Sequence, residues 1–172
     1  LGLDYYKKIV ELEKKYSRPG LKINNDLQTN GILLNEEWCE FLKKNNWLVG
    51  ISIDGPRELH DAYRLTKNGK PTFDLVMKGI NLLKKFKVPF NTLTCVNRIN
   101  AKRPLDVYRF LRREINSTYI QFIPIVEYKG FETTAPFFWD WNKIPKDGSP
   151  EARPDHPDSI VTDWTVDPDD YG

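Results

Sequence analysis

The sequence has few residues that could hold a metal ion. Its 172 residues include two cysteines, Cys39 and Cys95, and two histidines, His60 and His156. Two cysteines are too few for a disulfide framework or a zinc site, and two histidines would need many carboxylates to complete a metal centre. Such sparse cysteine usage is typical of a reduced compartment. The sequence therefore predicts a cytoplasmic protein that supplies no metal site of its own.

Long apolar runs are also absent. None approaches the roughly 18–20 residues needed to span a bilayer, and residues 1–16 are predicted to form an amphipathic helix rather than a signal segment. The charges nearly balance, at 26 basic against 24 acidic residues. A nucleic-acid-binding protein would normally carry a dominant basic surface. The sequence therefore predicts neither a membrane partner nor a nucleic-acid partner.

The near-neutral total hides two parts of opposite charge. Residues 1–128 carry 22 basic and 14 acidic side chains, whereas residues 129–172 carry 4 and 10, together with 6 of the 12 prolines. We therefore predict a basic body over residues 1–128 and an acidic, Pro- and Trp-rich, loop-like and mobile extension over residues 129–172. An aromatic cluster at 137–141 could bind a peptide or a sugar, although capping the body is the commoner role for such a cluster.

Helical and extended patterns alternate along the body. Apolar residues three and four apart predict one helix near residue 6 and three more that begin at Asn35, Thr72 and Pro104. Helices that separate strands in this way are typical of βαβ units with parallel strands. The sequence therefore predicts an α/β fold, with a parallel sheet of about four strands and alternating helices. The four predicted strands cover residues 21–29, 48–53, 89–96 and 119–125.

Ligands of parallel α/β folds lie beyond the carboxyl ends of the strands. Here those ends are rich in amides and hydroxyls and poor in catalytic bases, which suits hydrogen bonds to a polar cofactor better than acid–base turnover. The alternative is turn formation, because Asn-Gly and Asp-Gly-Pro form turns in any context. The strand ends are residues 28–31, 52–55, 95–97 and 121–124.

Single side chains near these ends have two interpretations each. Ser52 interrupts an apolar strand and needs a partner, either neighbouring backbone or a ligand. Arg64 could pair with Asp61 at helical spacing, and a solvated arginine is the default alternative. Cys39 and Cys95 are predicted to pack as inert thiols. The sequence contains no serine-hydrolase elbow, no glycine-rich phosphate loop and no zinc-protease motif.

Several short motifs follow one another in a specific order. They are Leu27-Gln28-Thr29-Asn30-Gly31, then residues 48–56, then His60-Asp61 with Arg64, then the strands at 88–96 and 119–125, and finally residues 162–172. In this order they resemble the radical SAM enzymes of the anaerobic sulfatase-maturating type. The resemblance implies a six-stranded partial (β/α)6 barrel of the TIM type, of which this chain would hold the third to sixth strands.

The resemblance also implies an activity and its cofactors. The family cleaves S-adenosylmethionine with a reduced 4Fe–4S cluster, and the resulting radical removes a hydrogen from a cysteine or serine of a sulfatase polypeptide, which becomes formylglycine. The protein orients these cofactors, and a flavodoxin or ferredoxin could supply the electrons. The strand ends are rich in amides and poor in catalytic bases, which agrees with a protein that positions cofactors and leaves the chemistry to them.

The resemblance assigns roles to a few positions. Ser52 and Arg64 match the positions that hold the ribose and carboxylate side of S-adenosylmethionine, and a guanidinium suits a carboxylate. Val126 matches a position that touches the cofactor by packing and backbone. The stretch Gln28-Thr29-Asn30 falls where substrate peptide or cofactor would approach. The resemblance assigns no catalytic residue and no metal ligand to this sequence.

The resemblance further implies that important parts lie outside these residues. The family's CxxxCxxC cluster motif would precede Leu1, and the auxiliary-cluster domain of the SPASM type would follow Gly172, so we expect the chain alone to bind no cluster and to be inactive. Two alternatives stay open. One is a radical SAM maturase of another ribosomal peptide. The other is a non-catalytic α/β module that binds a partner through its acidic, aromatic tail, and a CxxxCxxC motif before Leu1 would argue against it.

Overall fold

The computed structural model describes residues 2–130, 145–146 and 148–171. Within these residues, no helix is both long and apolar enough to cross a bilayer. The helices are α1 (Leu3–Tyr16), α2 (Glu36–Lys44), α3 (Arg57–His60), α4 (Phe73–Lys85), α5 (Pro104–Arg109), which continues as a π-helical turn (Phe110–Glu114), and α6 (Pro168–Tyr171), with 3-10 turns at Asn100–Lys102 and Pro150–Ala152. The strands are β1 (Asp26–Thr29), β2 (Leu48–Ser52), β3 (Phe90–Val96) and β4 (Ile120–Pro124).

The four strands form one parallel sheet in the order β1-β2-β3-β4. The predicted α/β fold is therefore confirmed. The first predicted strand was too long, because β1 begins at Asp26 rather than at residue 21. Asp26 is the residue that lies opposite Leu48, the first residue of β2. The first hydrogen bond between this stretch and β2 is made by the carbonyl of Asn25, and residues 21–24 before it are irregular.

The hydrophobic core lies between the sheet and helices α2, α4 and α5. Alternate residues of β2 point to opposite faces of the sheet, and Val49, Ile51 and Ile53 are completely buried on the face that the helices cover. Cys39 of α2 is also completely buried there, so its predicted packing role is confirmed. Helices thus cover one face of the sheet, and we call this the outer face.

The other face of the sheet, here called the inner face, is polar and more open. A side chain added at Gly50 would collide with Leu93 and Gln28, so these three residues share that face. Gln121 lies opposite Leu93 in the sheet and is exposed. Because Ser52 follows Gly50 by two residues, its hydroxyl belongs to the same face. The inner face therefore carries the amide and hydroxyl groups that a polar ligand can bond.

The connections that lead into β2, β3 and β4 each contain one non-glycine residue in the left-handed conformation. These residues are Asn46, Lys87 and Asn116, with φ values of 55°, 53° and 56°. After the first two, the next backbone N–H bonds to the carbonyl five residues earlier, which is the Schellman helix ending. After Asn116 the corresponding bond reaches back six residues, because the π-helical turn adds one residue to the last turn.

The described part of the extension folds back onto the chain that follows β4. Backbone hydrogen bonds join Thr162 to Glu127, Val166 to Ile125 and Lys129 to Ile160. This stretch is loop-like apart from its short helical turns, yet Val161 and Val166 within it are buried. The aromatic cluster at 137–141 lies outside the described residues. The division of the chain at residue 128 stays a prediction.

Candidate functional site

A cavity of about 470 Å³ lies at the carboxyl ends of β2 and β3. The loop after α3 and the chain that follows β4 form its other walls. Parallel sheets bind ligands at this end of their strands, and this volume lies within the usual range for small-molecule sites. The polar and aromatic residues around the cavity include Asp54, Arg64, Cys95, Asn97, Glu127 and Trp164.

A bidentate ion pair between Arg64 and Asp54 forms one wall of the cavity. Arg64 donates from Nε to Oδ2 of Asp54 at 2.6 Å and from Nη2 to Oδ1 at 3.1 Å. Nη2 also contacts Sγ of Cys95 at 3.3 Å, and the backbone N–H of Cys95 donates to Asp54 at 2.9 Å. Burial opposes the charge on Arg64, but the hydrogen bond and charge of Asp54 outweigh it and raise the pKa of the guanidinium.

The structure contradicts both predicted states of Arg64, which neither pairs with Asp61 nor lies free in solvent. Helix α3 ends at His60, so Arg64 belongs to the following loop, and helical spacing does not apply to it. Asp61 instead accepts hydrogen bonds from the backbone N–H groups of Thr72 and Phe73, each at 2.9 Å, and so caps α4. The predicted start of this helix at Thr72 is confirmed.

His60 lies directly behind the ion pair and is completely buried. Its Nδ1 accepts a hydrogen bond from the backbone N–H of Asp54 at 3.3 Å, and its Nε2 lies 3.1 Å from Oγ1 of Thr72. The Thr72 hydroxyl donates to the backbone carbonyl of Arg64 at 2.6 Å. Sequence reasoning missed the roles of Asp54 and Thr72. The available signal was Asp54 itself, a carboxylate directly after a buried strand that needs a charged partner.

Ser52 ends β2 on the inner face and is half-buried. Among the residues that the structure describes, no hydrogen bond is made to its hydroxyl, so the partner that its burial calls for is not supplied by neighbouring protein groups. Ser52 and Arg64 lie at the same end of the sheet, but Ser52 is not one of the residues that line the cavity. Val126 is 66% exposed and lies between Ile125 and Glu127, which do line it.

The stretch Gln28-Thr29-Asn30 lies at the carboxyl end of β1. Oγ1 of Thr29 accepts from the backbone N–H of Gly31 at 3.1 Å, and Oδ1 of Asn30 accepts from that of Ile32 at 3.2 Å. Both side chains therefore stabilise the turn, as the structural alternative predicted. Gln28 is exposed on the inner face and makes no such turn bond.

Cys95 is half-buried beside the ion pair. Burial raises the pKa of its thiol, the Asp54 carboxylate raises it further, and Arg64 opposes both. The group is therefore a protonated thiol near neutral pH rather than a thiolate ligand. Within residues 2–130 and the described parts of the extension, no group of three or more His, Cys, Asp or Glu residues could hold a metal ion.

Comparisons with known proteins identify a family for most of the body. The family model described as the radical SAM superfamily matches residues 1–111. A serine-type anaerobic sulfatase-maturating enzyme from Bacteroides thetaiotaomicron is 60% identical over 125 residues, which are 73% of this chain and 30% of that enzyme. A cysteine-type anaerobic sulfatase-maturating enzyme from Clostridium novyi is 41% identical over 128 residues, which are 74% of this chain and 34% of that enzyme.

The chain is also similar to solved structures of such enzymes. A structure described as native anSMEcpe with bound AdoMet and Cp18Cys peptide matches with a TM-score of 0.70 and 40% identity, over 74% of this chain and 36% of that one. A structure described as native anSMEcpe with bound AdoMet gives the same TM-score and identity. The chain spans about a third of the length of the curated relatives that it matches.

Proposed function

The chain belongs to the radical SAM superfamily, and from that premise we propose that it forms the cofactor-facing part of an enzyme that oxidises a cysteine or serine of a sulfatase to formylglycine. The observation that carries the proposal is the 60% identity over 125 residues to a serine-type anaerobic sulfatase-maturating enzyme. In this proposal residues 1–128 are part of the partial barrel, and residues 129–172 extend from it.

The cavity beside Arg64 fits S-adenosylmethionine. Asn97 lines it and is completely buried, and its Nδ2 has no hydrogen-bond partner among the described residues. A buried donor without a partner is costly, so a ligand acceptor that reaches it would be stabilised. Arg64 keeps Nη1 available after its two bonds to Asp54, which allows one further bond to the cofactor carboxylate.

We propose that Ser52 and Val126 complete the cofactor contacts. Ser52 offers a hydroxyl without a protein partner on the inner face, which suits a bond to the ribose. Val126 is exposed next to the cavity and can pack against the cofactor. When bound, S-adenosylmethionine supplies the radical that removes the substrate hydrogen, and the residues described here bind it, orient it and exclude water.

A 4Fe–4S cluster does not fit on the described residues. Clusters of this kind are held by several cysteine thiolates that converge on one point. Cys39 is enclosed by the core, where burial raises the pKa of its thiol to about 11, and Cys95 pairs with Arg64 in the cavity wall. The ligands of the cluster that this family uses must therefore come from other residues than these.

The substrate peptide would approach the open inner face. Gln28 is exposed there and offers an amide that can bond extended backbone, whereas Thr29 and Asn30 would contribute mainly through the turn that they stabilise. We propose this peptide-facing role for all three residues. A flavodoxin or ferredoxin would supply the electrons, and the two free cysteines agree with a reducing, cytoplasmic location.

The proposal is tested on the full-length gene product, purified and reconstituted without oxygen. It is incubated with S-adenosylmethionine, a reductant and two sulfatase peptides that differ only in a serine or cysteine at the target position. Mass spectrometry should show the serine peptide losing two hydrogens, or the cysteine peptide exchanging its thiol for an aldehyde oxygen. A crosslinked peptide would indicate a maturase of another class, and unchanged peptides with uncleaved cofactor would overturn the proposal.

A further inference from the structure

The Asp54–Arg64 pair is one half of a closed ring of hydrogen bonds. On one side, the Arg64 guanidinium donates twice to the Asp54 carboxylate. On the other side, the backbone N–H of Asp54 donates to His60, His60 contacts Thr72, and Thr72 donates to the Arg64 carbonyl. The ring therefore holds both the backbone and the side chain of each member of the ion pair.

Each proton in this ring has one consistent place. Nδ1 of His60 faces a backbone N–H, so it must be the unprotonated nitrogen. The ring proton then lies on Nε2 and is donated to Oγ1 of Thr72, whose own proton is directed to the Arg64 carbonyl at 2.6 Å. Burial lowers the pKa of His60, which agrees with a neutral imidazole. Both nitrogens are thus fully bonded.

We propose that His60 and Thr72 are positioning residues, which act through the Asp54–Arg64 pair to set the affinity for S-adenosylmethionine. The inference rests on the proposed function, because it requires that Arg64 contact the cofactor. Neither residue lines the cavity, so any influence on the ligand is indirect, and their hydrogen bonds lead to the two members of the pair. Burying an imidazole and a hydroxyl costs free energy that apolar side chains of similar size would not cost, which argues that these two polar groups have a role beyond packing. Fully satisfied polar networks fix a single geometry more strongly than apolar packing does.

The hydroxyl of Thr72 is tested with two variants of opposite character. Thr72→Val keeps the shape and removes the hydroxyl, whereas Thr72→Ser keeps the hydroxyl and removes a methyl group. Dissociation constants for S-adenosylmethionine are measured by equilibrium dialysis on the reconstituted full-length protein. Thr72→Val should weaken binding about three- to tenfold, because two buried hydrogen bonds are lost, and Thr72→Ser should stay close to wild type.

Two further variants keep the test decisive. His60→Asn places an acceptor near Nδ1 but cannot reach Thr72, so it should resemble Thr72→Val even if that variant folds poorly. Leu83→Val, in the core away from the cavity, should lower the unfolding temperature and leave the dissociation constant unchanged. Unchanged affinity in Thr72→Val and His60→Asn, with wild-type binding intact, overturns the inference alone. Absence of binding by the wild-type protein overturns the proposed function instead.

Discussion

At the scale of single residues, the state of Arg64 depends on Asp54. Asp54 is 2% exposed, and a buried carboxylate is stable only if it is paired and hydrogen-bonded. Two bonds from Arg64 and one from the backbone of Cys95 meet this requirement. The arginine is therefore already oriented before any ligand arrives, so little conformational entropy is lost when it binds one.

Replacing Arg64 with lysine should weaken S-adenosylmethionine binding about tenfold or more. A lysine keeps the charge but has a single nitrogen, so it cannot reproduce the two-nitrogen pairing with Asp54 and present a separate N–H to the ligand in the same geometry. Binding is measured by equilibrium dialysis on the full-length protein. The matched control is Arg57→Lys, because Arg57 forms a similar bidentate pair with Asp74 on the exposed surface. Equal affinity in both variants would argue against a ligand contact by Arg64.

The buried His60 should make stability depend on pH. Its pKa in the folded protein lies below the ordinary value of 6.5, mainly because of burial, so the unfolded chain takes up a proton first as the pH falls. The stabilisation is complete above about pH 6.5 and declines as the pH falls toward the lower folded pKa, with a slope of at most about 1.4 kcal/mol per pH unit.

Urea unfolding of the full-length protein at pH 7.5 and pH 5.5 measures this dependence. His60→Asn should show a smaller loss of stability between the two pH values than wild type. A variant of the half-exposed His156, His156→Asn, controls for the removal of an imidazole from the chain. The same pH dependence in all three proteins would contradict the expected role of His60.

The sequence indicated which residues belong to the site more readily than it indicated which partners those residues contact. The resemblance selected Arg64 and Ser52, but the partner of Arg64 depends on where α3 ends and on how the chain returns to β2. Spacing along the sequence pointed to Asp61, three residues away, and the actual partner lies ten residues away at a strand end. Contacts of this kind are set by tertiary packing, which local periodicity does not contain.

At the scale of elements, the sequence was more informative. Asn35 was predicted to cap α2, and its Oδ1 does accept a hydrogen bond from the backbone N–H of Trp38 at 2.9 Å. All four strands and the four longer helical segments occur where apolar spacing placed them, with shifted ends. The short helix α3 and the π-helical turn were not predicted, because neither is long enough to show a hydrophobic period.

Replacing Gly79 with alanine should destabilise the protein by a few kcal/mol, although alanine favours helices by about 1 kcal/mol over glycine. Gly79 lies in the middle of α4, and a Cβ there would collide with the backbone carbonyl of Gly31 in the loop after β1. Backbone cannot move away as a flexible side chain can. Urea unfolding measures the change, with the exposed neighbour Lys78→Ala as control. A more stable Gly79→Ala would show that the helix can shift.

At the scale of the whole molecule, the described residues include no group of three or more His, Cys, Asp or Glu side chains that could hold a metal ion. A polypeptide of residues 1–172, reconstituted with iron and sulfide without oxygen, should take up no stoichiometric iron and show no cluster absorbance near ~400 nm. Its two cysteines lie in separate environments, one in the core and one in the cavity wall. Circular dichroism first establishes that this polypeptide is folded. Iron that is retained in wild type and lost in Cys95→Ala would contradict the expectation.

The fold class was predictable at this scale, because helix–strand alternation and parallel pairing follow from local patterns and connection lengths. The path of the extension was not. Residues 160–166 are held by hydrogen bonds from their backbone to residues 125–129, and such bonds leave no trace in side-chain composition. Charge and proline content marked a change in the chain near residue 129 but gave no indication that it would return to form a wall of the cavity.

The left-handed residues Asn46, Lys87 and Asn116 lie at the opposite end of the strands from the cavity. They all precede strands, whereas Asp54, Arg64 and Cys95 gather where strands finish. Substitutions that stabilise these connections therefore lie at that end of the strands, opposite the cavity. Lys87 is the first of these positions to replace. In the left-handed conformation a lysine has a higher steric cost than an asparagine or a glycine.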